Sequence, residues 1–266
     1  MKIHAPAARD LLIMWTKPRL IASFFMALAM IAAPRLLFFF AQPLPYYVQF
    51  NPGCAAIPLA GILFGPAGVW GAVAGTILAD LMVGLGTALT PFRAMGAGLF
   101  ALSAALIWNR GKLNDSTAPA RQTRPAWRFL GCVLPGMAMD AVWLGFGSEW
   151  LRLYPFSYVT TLTLIQHAIF VPFVGIPVMR WLDRQGARIS PFTTALSRRG
   201  QGLLIASAWG AWLIGSWIAY RRYHIAPLDP FVIGVTDCPV VLAAVLPFLP
   251  VQLWACFLPV SRTGRI

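Results

Sequence analysis

Apolar residues fall in blocks along this chain, separated by short stretches where Pro, Gly and Arg collect. A helical crossing of roughly 30 Å of hydrocarbon takes about 20 apolar residues. By that measure the pattern predicts eight spans, at 19–41, 46–64, 67–87, 91–109, 127–147, 157–180, 202–221 and 232–257. The blocks recur along the whole length and leave no room for a soluble domain. The first is long enough to span and has no small-residue cleavage pattern behind it, so no removable signal peptide is expected.

The connections carry the orientation. With eight spans, sixteen of the Lys and Arg residues fall on one side: Lys2, Arg9, Lys17, Arg19, then Arg110, Lys112, Arg121, Arg124, Arg128, then Arg180, Arg184, Arg188, Arg198, Arg199, and Arg262, Arg265. Five fall on the other: Arg35, Arg93, Arg152, Arg221 and Arg222. Positive charge marks the cytoplasmic side, so both ends are expected in the cytoplasm. Dropping any one span would flip the later connections and erase the bias.

Composition agrees. Hydrophobic types make up 59% and charged types 11%, against roughly 25% charged in a soluble domain. The net charge of +13 would suggest nucleic acid in a soluble protein. Here it sits in one-sided connections, and no nucleic-acid partner is expected. Cys54, Cys132, Cys238 and Cys256 have no CxxC spacing and read as small buried apolar residues. No metal, cofactor or catalytic residue is predicted, because no HExxH, GxSxG or paired acidic motif occurs.

Residues 50–110 carry the most information. Asn51-Pro52-Gly53 interrupts an apolar block, and helix from Gly53 to Phe64 would rise only about 18 Å. The second segment is therefore short: either a broken helix inside the bundle or a helix that starts after a surface turn. Gly61, Gly65, Gly68, Gly71 and Gly75 recur at three- and four-residue spacing, which lets helix backbones approach closely in lipid. Gly65-Pro66 predicts a tight turn. Asp80 lies within an apolar helix, and a carboxylate there costs several kcal/mol unless paired or hydrated. Arg93, thirteen residues on, is its expected neighbour: either a structural ion pair or two walls of one cavity.

The run AIPLAGILFGPAGVWGA from Ala56, followed by GTILAD ending at Asp80, resembles the substrate-binding membrane subunits (S components) of energy-coupling factor (ECF) transporters. They share a short second helix, a Gly-Pro-Ala-Gly turn and a Gly-x-x-x-x-Asp run in the third helix. The match covers about 55 residues. It implies an all-α integral membrane fold: a six-helix bundle at 19–182, after a cytoplasmic segment at 1–18. A basic linker at 183–201 and two additional spans with a tail at 202–266 then lie outside the family pattern. It implies capture of a vitamin-like micronutrient from outside, with a coupling membrane subunit and ATPases as partners. This chain has no GxxxxGK[ST] phosphate loop of its own. Ala29 and Ala33 would stand for the family's small-residue docking stripe.

Other polar groups in the apolar blocks join the candidate list. Asp140 and His167 are each expensive against lipid, so each is expected to face the interior. His167 could bind metal, titrate, or pair with Asp140. Asp237 is expected near the outer start of the eighth span. Pro34 predicts an end or kink of the first helix, and Arg35 after it either snorkels or reaches the ligand. Glu149 and Arg152 read as an interfacial pair. Trp127, Trp150, Trp181 and Trp254 fit an aromatic belt, and Trp209, Trp212 and Trp217 read as a packed cluster. The predicted substrate-binding set is Asp80, Arg93, Asp140, Arg35, Asn51 and His167, in a multi-pass protein of the bacterial inner membrane surrounded by lipid. The competing reading is an eight-span sensor module acting through a separate output protein, or a membrane assembly scaffold.

Overall fold

The computed structural model describes residue 11 and residues 18–41, 52–82, 87–115, 125–185, 195–223 and 239–257. Among these the chain is helical with no strand. The helices are α1 (Pro18–Ala41), α2 (Ala56–Phe64), α3 (Pro66–Met82), α4 (Thr90–Asp115), α5 (Pro125–Trp150), α6 (Phe156–Arg184), α7 (Arg198–Tyr223), α8 (Pro239–Val245) and α9 (Phe248–Cys256). Five stretches are long and apolar enough to cross a membrane by length and composition. They are Thr90–Arg110, Ala126–Trp150, Phe156–Arg184, Arg198–Arg221 and Pro239–Cys256, the last being α8 and α9 together. Leu20–Pro34, Pro52–Phe64 and Pro66–Met82 are shorter apolar helices.

Local chemistry sets the breaks. A 3-10 turn, Pro52–Ala55, precedes α2. Its Gly53, Cys54 and Ala55 are buried, and it packs between α1 and α6. The interruption at Pro52-Gly53 thus lies inside the bundle, where protein covers the irregular backbone. Gly65 ends α2 with φ 58° and ψ −127°, a conformation that a Cβ disfavours. Pro66 then opens α3, at the helix position where a missing N–H costs nothing. Pro34 does not end the first helix: α1 runs through it to Ala41. The last apolar block, in contrast, is divided at Leu246-Pro247 into α8 and α9.

The two central helices are α4 and α5. Of their most apolar windows, 78% and 72% is buried in protein, against 28% for α6 and 33% for α7. The outer helices present Phe173, Leu213 and Trp217 outward, as a lipid-facing surface would. α3 packs on α1 and α4, α2 on α4 and α3, α6 on α5, and α7 on α5 and α9. Arg110, Arg128, Arg180, Arg184, Arg198 and Arg199 lie toward one end, the basic end. Arg128 donates to the Trp108 carbonyl at 2.8 Å, and the Leu196 N–H meets the Leu106 carbonyl at 3.3 Å. Trp127, Trp150, Trp181 and Trp254 are all exposed near helix ends, whereas Trp217 is exposed and stands apart from the edge-to-face Trp209–Trp212 pair.

Lipid gives helices no hydrophobic reason to associate, so close van der Waals packing must hold them. The glycine spacing serves that end. A methyl group on Gly61 would strike the Ala101 carbonyl of α4, and one on Gly68 the Ala60 carbonyl of α2. Gly71 and Gly75 seat α3 against Ala27, Leu28 and Ile31 of α1. Ala29 and Ala33 lie on the exposed side of α1. The pair that the resemblance assigned to partner docking is thus on the face of α1 turned away from its seam with α3.

Gly61→Ala is expected to destabilise the protein in detergent by about 1–3 kcal/mol, because the methyl meets backbone that cannot yield. Gly131 of α5 has open space around it, and Gly131→Ala should change stability by no more than about 1 kcal/mol. Thermal unfolding of both variants checks the contrast.

Candidate functional site

Asp80 sits near the end of α3, 1% exposed. Both its oxygens are engaged from the first turn of α4. The Thr90 hydroxyl donates to Oδ2 at 3.0 Å, and Arg93 donates to Oδ1 at 3.3 Å. Thr90 is itself held by the Thr87 N–H, which donates to its Oγ1 at 3.3 Å. A helix N-terminus carries partial positive charge, so the start of α4 adds to what the guanidinium supplies. Arg93 is 26% exposed at its side chain, leaving one face of the pair open.

One turn further along α4, Gly96 lies against Asp140 of α5. A Cβ at Gly96 would crowd Oδ1 and the backbone of Asp140. Asp140 Oδ2 is 3.2 Å from Nε2 of His167 on α6. His167 is 2% exposed, and the Phe100 ring, another turn along α4, meets it edge-on at 5.3 Å. Positions 93, 96 and 100 of α4 therefore touch, in order, the Asp80 pair, Asp140 and His167. His167 Nδ1 is buried and has no hydrogen-bond partner among the described residues. Cys54, in the buried turn before α2, lies within electrostatic reach of Asp140.

Four of the six sequence-predicted site residues thus form two acid–base pairs beside successive turns of α4, in the half of the bundle away from the basic end. Asn51 and Asp237 lie outside the described residues. Arg35 lies on α1, and its side chain is outside what is described. Of the three fates open to His167, pairing with Asp140 is the one seen. Among the described residues no group of three or more His, Cys, Asp or Glu is placed to hold a metal ion.

Sequence reasoning missed Thr90 and Cys54 as neighbours of the acids. A Thr-Pro pair at a helix start was the available signal for Thr90, since Thr is a favoured capping residue. Glu149 also differs from expectation. It is 2% exposed rather than interfacial, and its Oε2 accepts the Phe156 N–H at 2.7 Å. That bond satisfies an orphan donor at the start of α6. No protein-family model matches this chain, nor does any curated protein or solved structure.

Removing one partner of a buried ion pair leaves the other uncompensated. Asp80→Asn is therefore expected to cost about 3–5 kcal/mol. Thr90→Val, which keeps the ion pair and loses one bond to a charged acceptor, should cost about 1.5–3 kcal/mol. Equal losses in unfolding measurements would show that Arg93 contributes nothing to holding Asp80.

Proposed function

We propose that this protein is a membrane-embedded capture subunit for a small charged or zwitterionic micronutrient, similar to the S components of ECF transporters and energised by separate coupling and ATPase subunits. In this reading the apolar helices make eight crossings of a bacterial inner membrane. The basic end and both termini face the cytoplasm, and α7 to α9 are additions to a six-helix body. The two acid–base pairs then lie in the outer half. The observation that carries the reading is that stack of pairs beside α4.

Charged groups are scarce in these helices, and their cost in hydrocarbon makes an intramembrane acid a functional candidate. Two adjacent pairs, with the buried Nδ1 of His167 still unpartnered among the described residues, offer a ligand both signs of charge and a free ring nitrogen. A ligand carboxylate or phosphate would compete with Asp80 for Arg93, and a ligand cation would take Asp140 or Asp80. Buried pairs resist opening, so an uncharged molecule has no means of entering between them. Capture without hydrolysis needs no more chemistry than this.

Gentle extraction from native membranes followed by mass spectrometry tests the reading. A small molecule bearing charge should stay with the wild-type protein. Asp140→Asn should lower its retention by about 30-fold or more, as expected when one partner of a buried charged contact is lost. A folded wild-type protein that retains nothing, or retains the same molecule equally in the Asp140→Asn and Arg93→Gln variants, would overturn it.

A further inference from the structure

The opposite end of the bundle holds a second concentration of charge that neither pair explains. Arg110, near the end of α4, is half-buried and donates to Oε1 of Gln201 on α7 at 3.1 Å. Arg198, three residues before Gln201 on the same helix, lies within electrostatic reach of Arg110. Arg198 and Arg199 are exposed at the N-terminus of α7, where Ser197 Oγ accepts the Gly200 N–H at 3.0 Å. The joint is fixed by the Leu196 N–H on the Leu106 carbonyl at 3.3 Å. Two guanidiniums and the positive end of a 26-residue helix therefore converge on one notch between α4 and α7. The acceptor that positions Arg110 is a neutral amide. Among the described residues no carboxylate pairs with Arg110, Arg198 or Arg199, and the buried acids Asp80, Asp140 and Glu149 all lie in the other half.

The rule that gathers positive charge on one side of a membrane accounts for the side. It does not account for Arg110 of α4 being held by Gln201 one turn from Arg198 of α7, so that two arginines far apart in sequence share one junction. An anion seated between such charges relieves their mutual repulsion, and arginine forks match phosphate geometry. A helix N-terminus adds N–H donors for the same anion. We propose that the α4–α7 notch binds a phosphate group, the chemistry shared by an anionic phospholipid headgroup and free phosphate. The site is distinct from the acid–base stack and stands or falls independently of what that stack binds.

Native mass spectrometry of the full-length protein in detergent provides the test, with phosphatidylglycerol, phosphatidylcholine of the same acyl chains, and inorganic phosphate as separate additions. Phosphatidylglycerol should bind in preference to phosphatidylcholine. Arg110→Gln/Arg198→Gln should weaken that binding by about 25-fold, the effect of two arginines near an anionic surface. Arg110→Lys/Arg198→Lys, which keeps the charge, should retain most of it and covers the case in which the glutamine variant fails to fold. Arg180→Gln/Arg184→Gln removes equal charge from the same end and should change binding by no more than about twofold. Inorganic phosphate binding with the same dependence on Arg110 and Arg198, but no preference among lipids, would support the site and assign it to soluble phosphate. Equal losses from the two glutamine pairs, or no phosphate species bound, would overturn the proposal.

Discussion

Hydrocarbon solvates neither a carboxylate nor an open backbone amide, and the arrangement of this molecule follows from that constraint. Backbone groups in such helices must find their partners in protein, and an ionisable side chain is costly there without one. α4 and α5 can supply such partners because other helices wrap them. The acids on or beside them are accordingly paired: Asp80 with Thr90 and Arg93, Asp140 with His167. The outer helices α6 and α7 are mostly exposed along their apolar windows. Thr160, Thr163 and Ser207 turn their hydroxyls onto their own helix backbone, Thr160 onto the Phe156 carbonyl at 2.8 Å, whereas the hydroxyls of Ser157, Thr161 and Ser216 are buried with no hydrogen-bond partner among the described residues.

Packing and polarity are joined at Gly96. Glycine there brings the backbone of α4 against Asp140, which fixes the depth at which that carboxylate sits and the side from which His167 reaches it. The same device seats α2 on α4 through Gly61 and α3 on α1 through Gly71 and Gly75. In a membrane such contacts do the work that hydrophobic burial does in water, so the helices that carry the acids are held by residues with no chemistry of their own.

Much of this was legible in the chain. Each of the eight apolar blocks contains helix, and the shortness of the second followed from Pro52-Gly53. The turn at Gly65-Pro66 followed from backbone freedom and a fixed φ. Asp80 and Arg93 were matched by charge and spacing alone. Other features depend on contacts that no local pattern encodes. Whether Pro34 ends a helix depends on what surrounds the unpaired carbonyl a turn earlier, and α1 continues. Leu246-Pro247 offered the same signal and does mark a break. Glu149 looked interfacial beside Trp150, because its partner, the Phe156 N–H, is exposed by the backbone geometry of a turn. The pairing of Asp140 with His167 across α5 and α6 was one of three options until the register of those helices was known.

Gln252 has a consequence for how the protein is made. Fully buried on α9, it accepts the Trp143 indole N–H of α5 at 3.0 Å and donates to the Ser207 carbonyl of α7 at 3.5 Å. A ribosome finishes residue 143 long before residue 252, on the order of ten seconds earlier at ordinary elongation rates. Until residue 252 is made, the Trp143 indole lacks this acceptor. The polar link that Gln252 makes between α5, α7 and α9 therefore forms only after all three helices have been synthesised.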